Sequence, residues 1–92
     1  MQYKILPYTF AQAKKIGVKV QPSNRKNKKI DVYKDGLIVA SVGDSKYLDY
    51  PYYRKYFGEY VANIRRKEYR RRHQKDRKIK YSPGWYADKL LW

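Results

Sequence analysis

The chain has 92 residues, with 23 Lys and Arg against eight Asp and Glu, a formal charge of +15 and no cysteine. This length suits one domain with a small core and excludes a second, catalytic domain. The composition also excludes disulfides and thiolate metal sites, and no apolar run approaches the roughly 20 residues of a membrane span. Because so basic a body repels itself, we expect an acidic partner.

The N-terminal segment, residues 1–21, begins with a helix signal. Thr9 followed three residues later by Gln12 is typical of a capping box. Gly17 follows Lys14-Lys15-Ile16 and is typical of a helix end. The sequence therefore predicts a short helix over residues 10–16.

A short strand and a basic loop come next. Val18 and Val20 alternate with polar residues, which favours a strand. Residues 22–29 are polar and basic, which is typical of a loop. Its cations form the first candidate contact site: Arg25, Lys26, Lys28 and Lys29.

The clearest local signal predicts a β-hairpin over residues 30–42. Two β-rich runs flank Asp35-Gly36, and Asp-Gly favours a tight hairpin turn. We therefore expect Gly36 at positive φ.

An aromatic stretch follows over residues 46–53. Because Pro51 disfavours a helical conformation at Tyr50, the sequence predicts an extended connector. The tyrosines around it could stack on single-stranded nucleic acid, contact a protein, or supply the core, and we expect a mixture of core and protein-contacting rings. They are Tyr47, Tyr50, Tyr52, Tyr53, Tyr56 and Tyr60.

Residues 56–75 predict a strongly basic helix, since they lack proline and Tyr60, Val61 and Ile64 fall at helical spacing. Its cations and those that follow could neutralise phosphates or acidic protein surfaces. The alternative is a solvated helix face without a specific partner. The candidate contacts are Arg65, Arg66, Arg70, Arg71, Arg72, Lys75, Arg77 and Lys78.

His73 and Asp76 form the one arrangement that could indicate catalysis or metal binding. The chain has a single His and no Cys, and no second carboxylate lies nearby. We therefore expect no enzyme, no metal and no cofactor. His73 is better explained as a residue near a helix C-terminus, where the macrodipole favours positive charge.

The C-terminal segment, residues 82–92, predicts a short aromatic helix. Ser82 suits the N-cap and Pro83 the first helical position. Its aromatic side chains, Trp85, Tyr86 and Trp92, could anchor the chain in a partner or close over the hairpin as the domain's own core.

Several motifs resemble a family of small, uncharacterised basic proteins encoded by large nucleocytoplasmic DNA viruses. They are Arg25-Lys26-Asn27-Lys28-Lys29, Val42-Gly43-Asp44-Ser45-Lys46-Tyr47, Arg65-Arg66-Lys67-Glu68-Tyr69-Arg70-Arg71-Arg72-His73, and the closing Ser82-Pro83-Gly84-Trp85-Tyr86-Ala87-Asp88-Lys89-Leu90-Leu91-Trp92. The resemblance spans most of residues 25–92. It implies a setting, a giant virus and its particle, but it brings no residue roles.

Together these features predict one small α+β domain over residues 1–92: an N-terminal helix, a β-hairpin or small antiparallel sheet, a basic helix and a C-terminal aromatic helix. The expected function is a non-enzymatic minor capsid or cement protein, located in the virion and, during assembly, in the host cytoplasm or nucleus. It would bind acidic capsid proteins through basic and aromatic contacts, with Tyr52, Tyr53, Trp85, Tyr86 and Trp92 as aromatic anchors. The alternative is a nucleic-acid-binding protein for genome packaging or ribosome-like contact.

Overall fold

The structure is a computed structural model that describes residues 2–92, so Met1, the first residue of the predicted N-terminal segment, lies outside the described residues. Within residues 2–92, four α-helices and a three-stranded antiparallel sheet confirm the predicted small α+β class. In chain order the elements are α1 (Pro7–Lys15), β1 (Lys19–Pro22), β2 (Lys28–Lys34), β3 (Leu37–Asp44), α2 (Tyr50–Phe57), α3 (Glu59–Arg72), a 3₁₀ helix (Asp76–Lys78) and α4 (Pro83–Leu91).

Helix α1 begins earlier than the capping-box pattern predicts. It starts at Pro7, whose missing N–H is not needed in the first turn, and Leu6 occupies the N-cap. Thr9 is therefore inside the helix, where its buried hydroxyl donates a hydrogen bond to the Leu90 carbonyl at 2.9 Å. The capping-box assignment is wrong, because Thr9 fastens α1 to α4. The predicted stop is confirmed, since Gly17 follows the helix at φ 72°.

The hairpin prediction is confirmed in position and turn. Asp35 and Gly36 connect β2 to β3 and both have positive φ, 54° and 80°, as a two-residue hairpin turn of type I′ requires. Strand β1 pairs with the other edge of β2, so that Val20, Val32 and Ala40 lie side by side across the sheet.

Residues 50–53, predicted as part of an extended connector, form the start of helix α2. Asp49 is the N-cap, and its carboxylate accepts a hydrogen bond from the Tyr52 backbone N–H at 3.3 Å. Pro51 lies in the first turn, where proline is compatible with a helix. The connector prediction over 46–53 is therefore wrong from Tyr50 onward, because Pro51 starts a helix here instead of preventing one.

The basic helix is shorter than the predicted range of 56–75. Tyr56 and Phe57 belong to α2, and Gly58 separates α2 from α3 at φ 90°. Helix α3 ends at Arg72, with His73 as the C-cap. The predicted start of α4 is confirmed, because the Ser82 hydroxyl accepts a hydrogen bond from the Trp85 backbone N–H at 3.1 Å.

The core lies between one face of the sheet and helices α1 and α4. Ile30, Val32 and Leu90 are fully buried there, and Leu91 is nearly so. Contacts between aromatic rings help to attach the α2–α3 pair to this sheet body. Tyr50 of α2 contacts Tyr8 of α1, with ring centroids 5.2 Å apart. The sheet body, made of α1, β1–β3 and α4, thus contains most of the buried apolar side chains.

Candidate partner-binding surfaces

Charge is divided unequally between the interior and the surface. Within residues 2–92, which contain all eight acids and all 23 Lys and Arg, three acids are buried, Asp31, Asp49 and Asp88, whereas Lys29 is the one buried cation. The other 22 cations are at least partly exposed, and only five acids accompany them. The excess positive charge therefore lies on the surface, where a partner can meet it.

Lys29 is not available as a contact residue, which corrects its assignment to the first basic site. Its Nζ lies 3.0 Å from a carboxylate oxygen of Asp49, and both side chains are buried. The same oxygen accepts a hydrogen bond from the Tyr3 hydroxyl at 2.7 Å. Burial raises the pKa of Tyr3, and the nearby negative charge of Asp49 raises it further. This cluster fixes the start of α2 against β2.

The rest of the first basic site is exposed, with Arg25 and Lys26 in the loop between β1 and β2 and Lys28 at the first position of β2. The Arg25 backbone N–H donates to the Ser23 hydroxyl at 3.0 Å, and the Lys28 backbone N–H donates to the Arg25 carbonyl at 3.2 Å. These bonds hold the loop backbone while the side chains of Arg25, Lys26 and Lys28 extend into solvent.

Three of the predicted contact arginines near α3 are tied to the body of the protein. Arg66 lies 4.0 Å from the centroid of the Tyr50 ring. Arg70 donates to the buried carboxylate of Asp88 at 3.2 Å, and Arg77 lies 3.9 Å from its other oxygen. These contacts join α2, α3 and α4, so the three arginines are partly structural.

The remaining predicted cations of this region face solvent. Arg65 pairs with Glu68 at 3.3 Å on the helix surface, a weak interaction because both groups are exposed. Four others are exposed and extend the basic surface from the last turn of α3 into the segment that follows it: Arg71, Arg72, Lys75 and Lys78.

The five predicted aromatic anchors all take part in internal packing. Trp92 stacks on Tyr69, with ring centroids 4.3 Å apart and planes 8° apart. The Tyr52 hydroxyl donates to the Lys4 carbonyl at 2.6 Å. Tyr86 is buried in the core, with Trp85 packed against it. The packing of α4 favours the domain's own core over a partner pocket for this segment.

A row of rings lines a groove of about 710 Å³ between β3, α3 and α4. Tyr53 contacts Trp92, Trp92 stacks on Tyr69, and Tyr69 stacks on His73 at 4.4 Å. Burial raises the pKa of Tyr69 to about 12. The groove walls also carry Lys28, Arg65 and Arg72 together with the acids Asp44, Glu68 and Asp76. Rings and cations therefore meet in one concave surface.

His73 and Asp76 form a hydrogen-bonded pair at the edge of this groove. The His73 ring nitrogen lies 3.2 Å from the Asp76 carboxylate, and both side chains are exposed to solvent. The hydrogen bond from His73 lowers the pKa of Asp76. Across residues 2–92, no cluster of three or more His, Cys, Asp or Glu is arranged to hold a metal ion.

The structure also places apolar side chains of α3 in solvent. Tyr60 and Ile64, whose spacing contributes to the helix prediction, are both exposed, whereas Ala62 and Tyr69 are buried against the protein. Phe57, which is not among the predicted contact residues, is also exposed. Helical spacing identified the stripe but not the direction in which it points.

No family model, curated protein or solved structure matches the chain. The resemblance to basic proteins of giant DNA viruses therefore stays a prediction from the sequence. Among the described residues, no helix has both the length and the apolar character needed to cross a membrane.

Proposed function

We propose that this protein is a non-enzymatic component of a larger assembly and binds an acidic partner through several faces at once. The observation that carries this proposal is the division of charge, with 22 cations on the surface and three of the eight acids buried. A surface with so large an excess of one sign is self-repulsive and attracts partners of the other sign.

We further propose that the assembly is a virus particle, in which the protein acts as a minor capsid or cement protein. The resemblance to basic giant-virus proteins supports this setting. Exposed aromatic and apolar side chains beside the cations support contact with a protein, because tyrosine, phenylalanine and arginine are enriched at protein interfaces. Acidic surfaces of larger capsid subunits would supply the counter-charge.

Mass spectrometry of purified particles of the encoding virus tests this assembly role. We expect the protein to remain with the shell after nuclease treatment and washing at salt above the physiological concentration, because apolar contacts persist when exposed charges are screened within about 8 Å. Absence from the particles, or release together with the genome, would overturn the capsid role.

Nucleic-acid binding is the second candidate, and the ring-lined groove favours it. Single-stranded nucleic acid is bound by grooves that combine cations with aromatic rings, and Lys28, Arg65 and Arg72 line the same groove as Tyr53 and Trp92. The exposed cations beyond α3 would extend the path of the backbone.

Salt dependence tests this second candidate. If about six phosphates are neutralised, the logarithm of the affinity for single-stranded DNA should fall with the logarithm of salt concentration at a slope of roughly −4. The variant with Arg71, Arg72 and Lys75 changed to Glu should lose most of this binding. Its matched control changes Lys14, Lys15 and Lys19 to Glu, an equal change in charge elsewhere. Equal losses in both variants would indicate nonspecific attraction only.

A further inference from the structure

Four large apolar side chains lie in solvent around Gly58, where α2 ends and α3 begins. Tyr56, Phe57, Tyr60 and Ile64 are exposed by 63%, 58%, 79% and 43%. We name them the corner patch. Single exposed apolar residues are common, but these four flank one helix junction within nine residues, and concentrated exposed apolar surface marks interaction sites.

Two residues of the corner patch, Tyr60 and Ile64, share a face of α3 with two cations, Lys67 and Arg71, and we name this face the basic stripe. Tyr60, Ile64, Lys67 and Arg71 are spaced four, three and four residues apart, so they share one face of the helix. The opposite face carries Ala62 and Tyr69, which are buried against the protein. The stripe therefore points away from the domain, and the fold does not use its apolar side chains.

The charges around the patch determine which partner it fits. Residues 54–67 contain Arg54, Lys55, Arg65, Arg66 and Lys67 but only one acid, Glu59. A second copy of the chain would bring the same excess of positive charge and would be repelled. Phosphates could pair with the cations, but they have no apolar group that could pack against Ile64. An acidic protein with apolar side chains at its centre complements both parts of the surface.

We propose that the corner patch and the basic stripe of α3 form a docking surface for an acidic, amphipathic protein segment. This inference rests on the proposed binding of an acidic partner and names the surface that gives it specificity. The apolar side chains form the centre of the contact, and Lys67 and Arg71 orient the acidic side chains of the partner.

Two labelled peptides of equal length and charge provide the test by fluorescence anisotropy at physiological salt. The first is an acidic helical peptide with Glu and Leu at amphipathic spacing, and the second has Ser in place of every Leu. We expect the Leu peptide to bind the wild-type protein at least about tenfold more tightly. The double variant Y60S/I64S should remove this difference while leaving the weaker binding of the Ser peptide unchanged.

The double variant L37S/V39S is the matched control, because Leu37 and Val39 are exposed apolar residues on β3, away from the corner patch. It should keep the preference for the Leu peptide. Equal binding of the two peptides by the wild-type protein would overturn the docking surface but leave binding to an acidic partner intact. Failure of the wild-type protein to bind either peptide would contradict both the docking surface and the proposed binding of an acidic partner. A preference for oligothymidylate that depends on Tyr60 and Ile64 would reassign the surface to nucleic acid.

Discussion

The sheet body and the α2–α3 pair place the same kinds of residue in opposite environments. In the sheet body, Ile30, Val32 and Leu90 are completely buried, and Lys29 of β2 forms a buried ion pair with Asp49 at the start of α2. In the α2–α3 pair, Tyr60 and Ile64 are in solvent, and the ion pair between Arg65 and Glu68 is exposed. The sheet body therefore contains the core that stabilises the fold. The exposed face of α3 with Tyr60 and Ile64 does not contribute to that core.

The two ion pairs give the first and largest test of this contrast. Replacing Asp49 by Ala should lower the free energy of unfolding by about 3–5 kcal/mol, because it leaves the Lys29 charge buried without a partner. It also removes the cap of α2 and the acceptor for the Tyr3 hydroxyl. Urea denaturation followed by tryptophan fluorescence measures the change.

The matched control in the α2–α3 pair is Glu68→Ala. Loss of its exposed contact with Arg65 should change stability by no more than about 0.5 kcal/mol. Combining Lys29→Met with Asp49→Asn should recover much of the loss, since both buried charges are then absent. Similar effects of Asp49→Ala and Glu68→Ala would contradict a structural role for the buried pair.

Apolar truncation is the second test and compares Leu90 with Ile64. Leu90→Ala should cost about 2–5 kcal/mol, because it leaves a cavity in the closed core. Ile64→Ala should remain within about 0.5 kcal/mol, as expected for a surface substitution. Chemical denaturation of both variants under the same conditions measures the two changes in the free energy of unfolding. A cost above about 1 kcal/mol for Ile64→Ala would mean that Ile64 contributes to the stability of the fold. The corner patch would then not be a surface that the fold leaves unused.

These contrasts explain which parts of the structure could be predicted from the sequence. The Asp35-Gly36 turn, the Gly17 stop and the Ser82 cap are local signals whose partners lie within a few residues, and all three are confirmed. Lys29 was assigned to a surface loop because its neighbours are basic. Its partner Asp49 is 20 residues away, so no local pattern indicates the buried pair.

The errors in α2 and α3 have different physical causes. Pro51 disfavours a helical conformation at Tyr50 in general, but proline fits the first helical turn when a residue such as Asp49 caps it. The apolar spacing of Tyr60 and Ile64 correctly indicated one face of a helix. Periodicity cannot specify whether that face turns inward, because Trp92, which stacks on Tyr69 and helps bury the opposite face, comes from a distant part of the chain.

A third test compares two glycines with similar backbone conformations. Gly36 and Gly43 have φ of 80° and 87°, but only Gly43 lies against other side chains. Gly36→Ala should cost about 1 kcal/mol from backbone strain alone. A Cβ at position 43 would lie 2.8 Å from Leu91 Cδ1 and 2.9 Å from Lys29 Cδ, so Gly43→Ala should cost at least about 1 kcal/mol more. Equal thermal stabilities of the two variants would contradict the close packing around Gly43.

The smallest expected effect is a change in how stability falls at alkaline pH, and it concerns Tyr69, whose buried hydroxyl stays protonated at neutral pH. Burial raises its pKa to about 12, above the value of about 10 for a tyrosine in an unfolded chain. The folded state therefore holds this proton more tightly. The associated stability is fully present below pH of about 10 and is lost as the pH rises toward about 12.

Melting temperatures of Tyr69→Phe should accordingly fall less over this range than those of the wild type. Tyr60→Phe removes an exposed hydroxyl and should follow the wild-type profile. If the wild type and both variants show the same alkaline decline, Tyr69 is not the ring whose ionisation destabilises the contact between α3 and the end of α4.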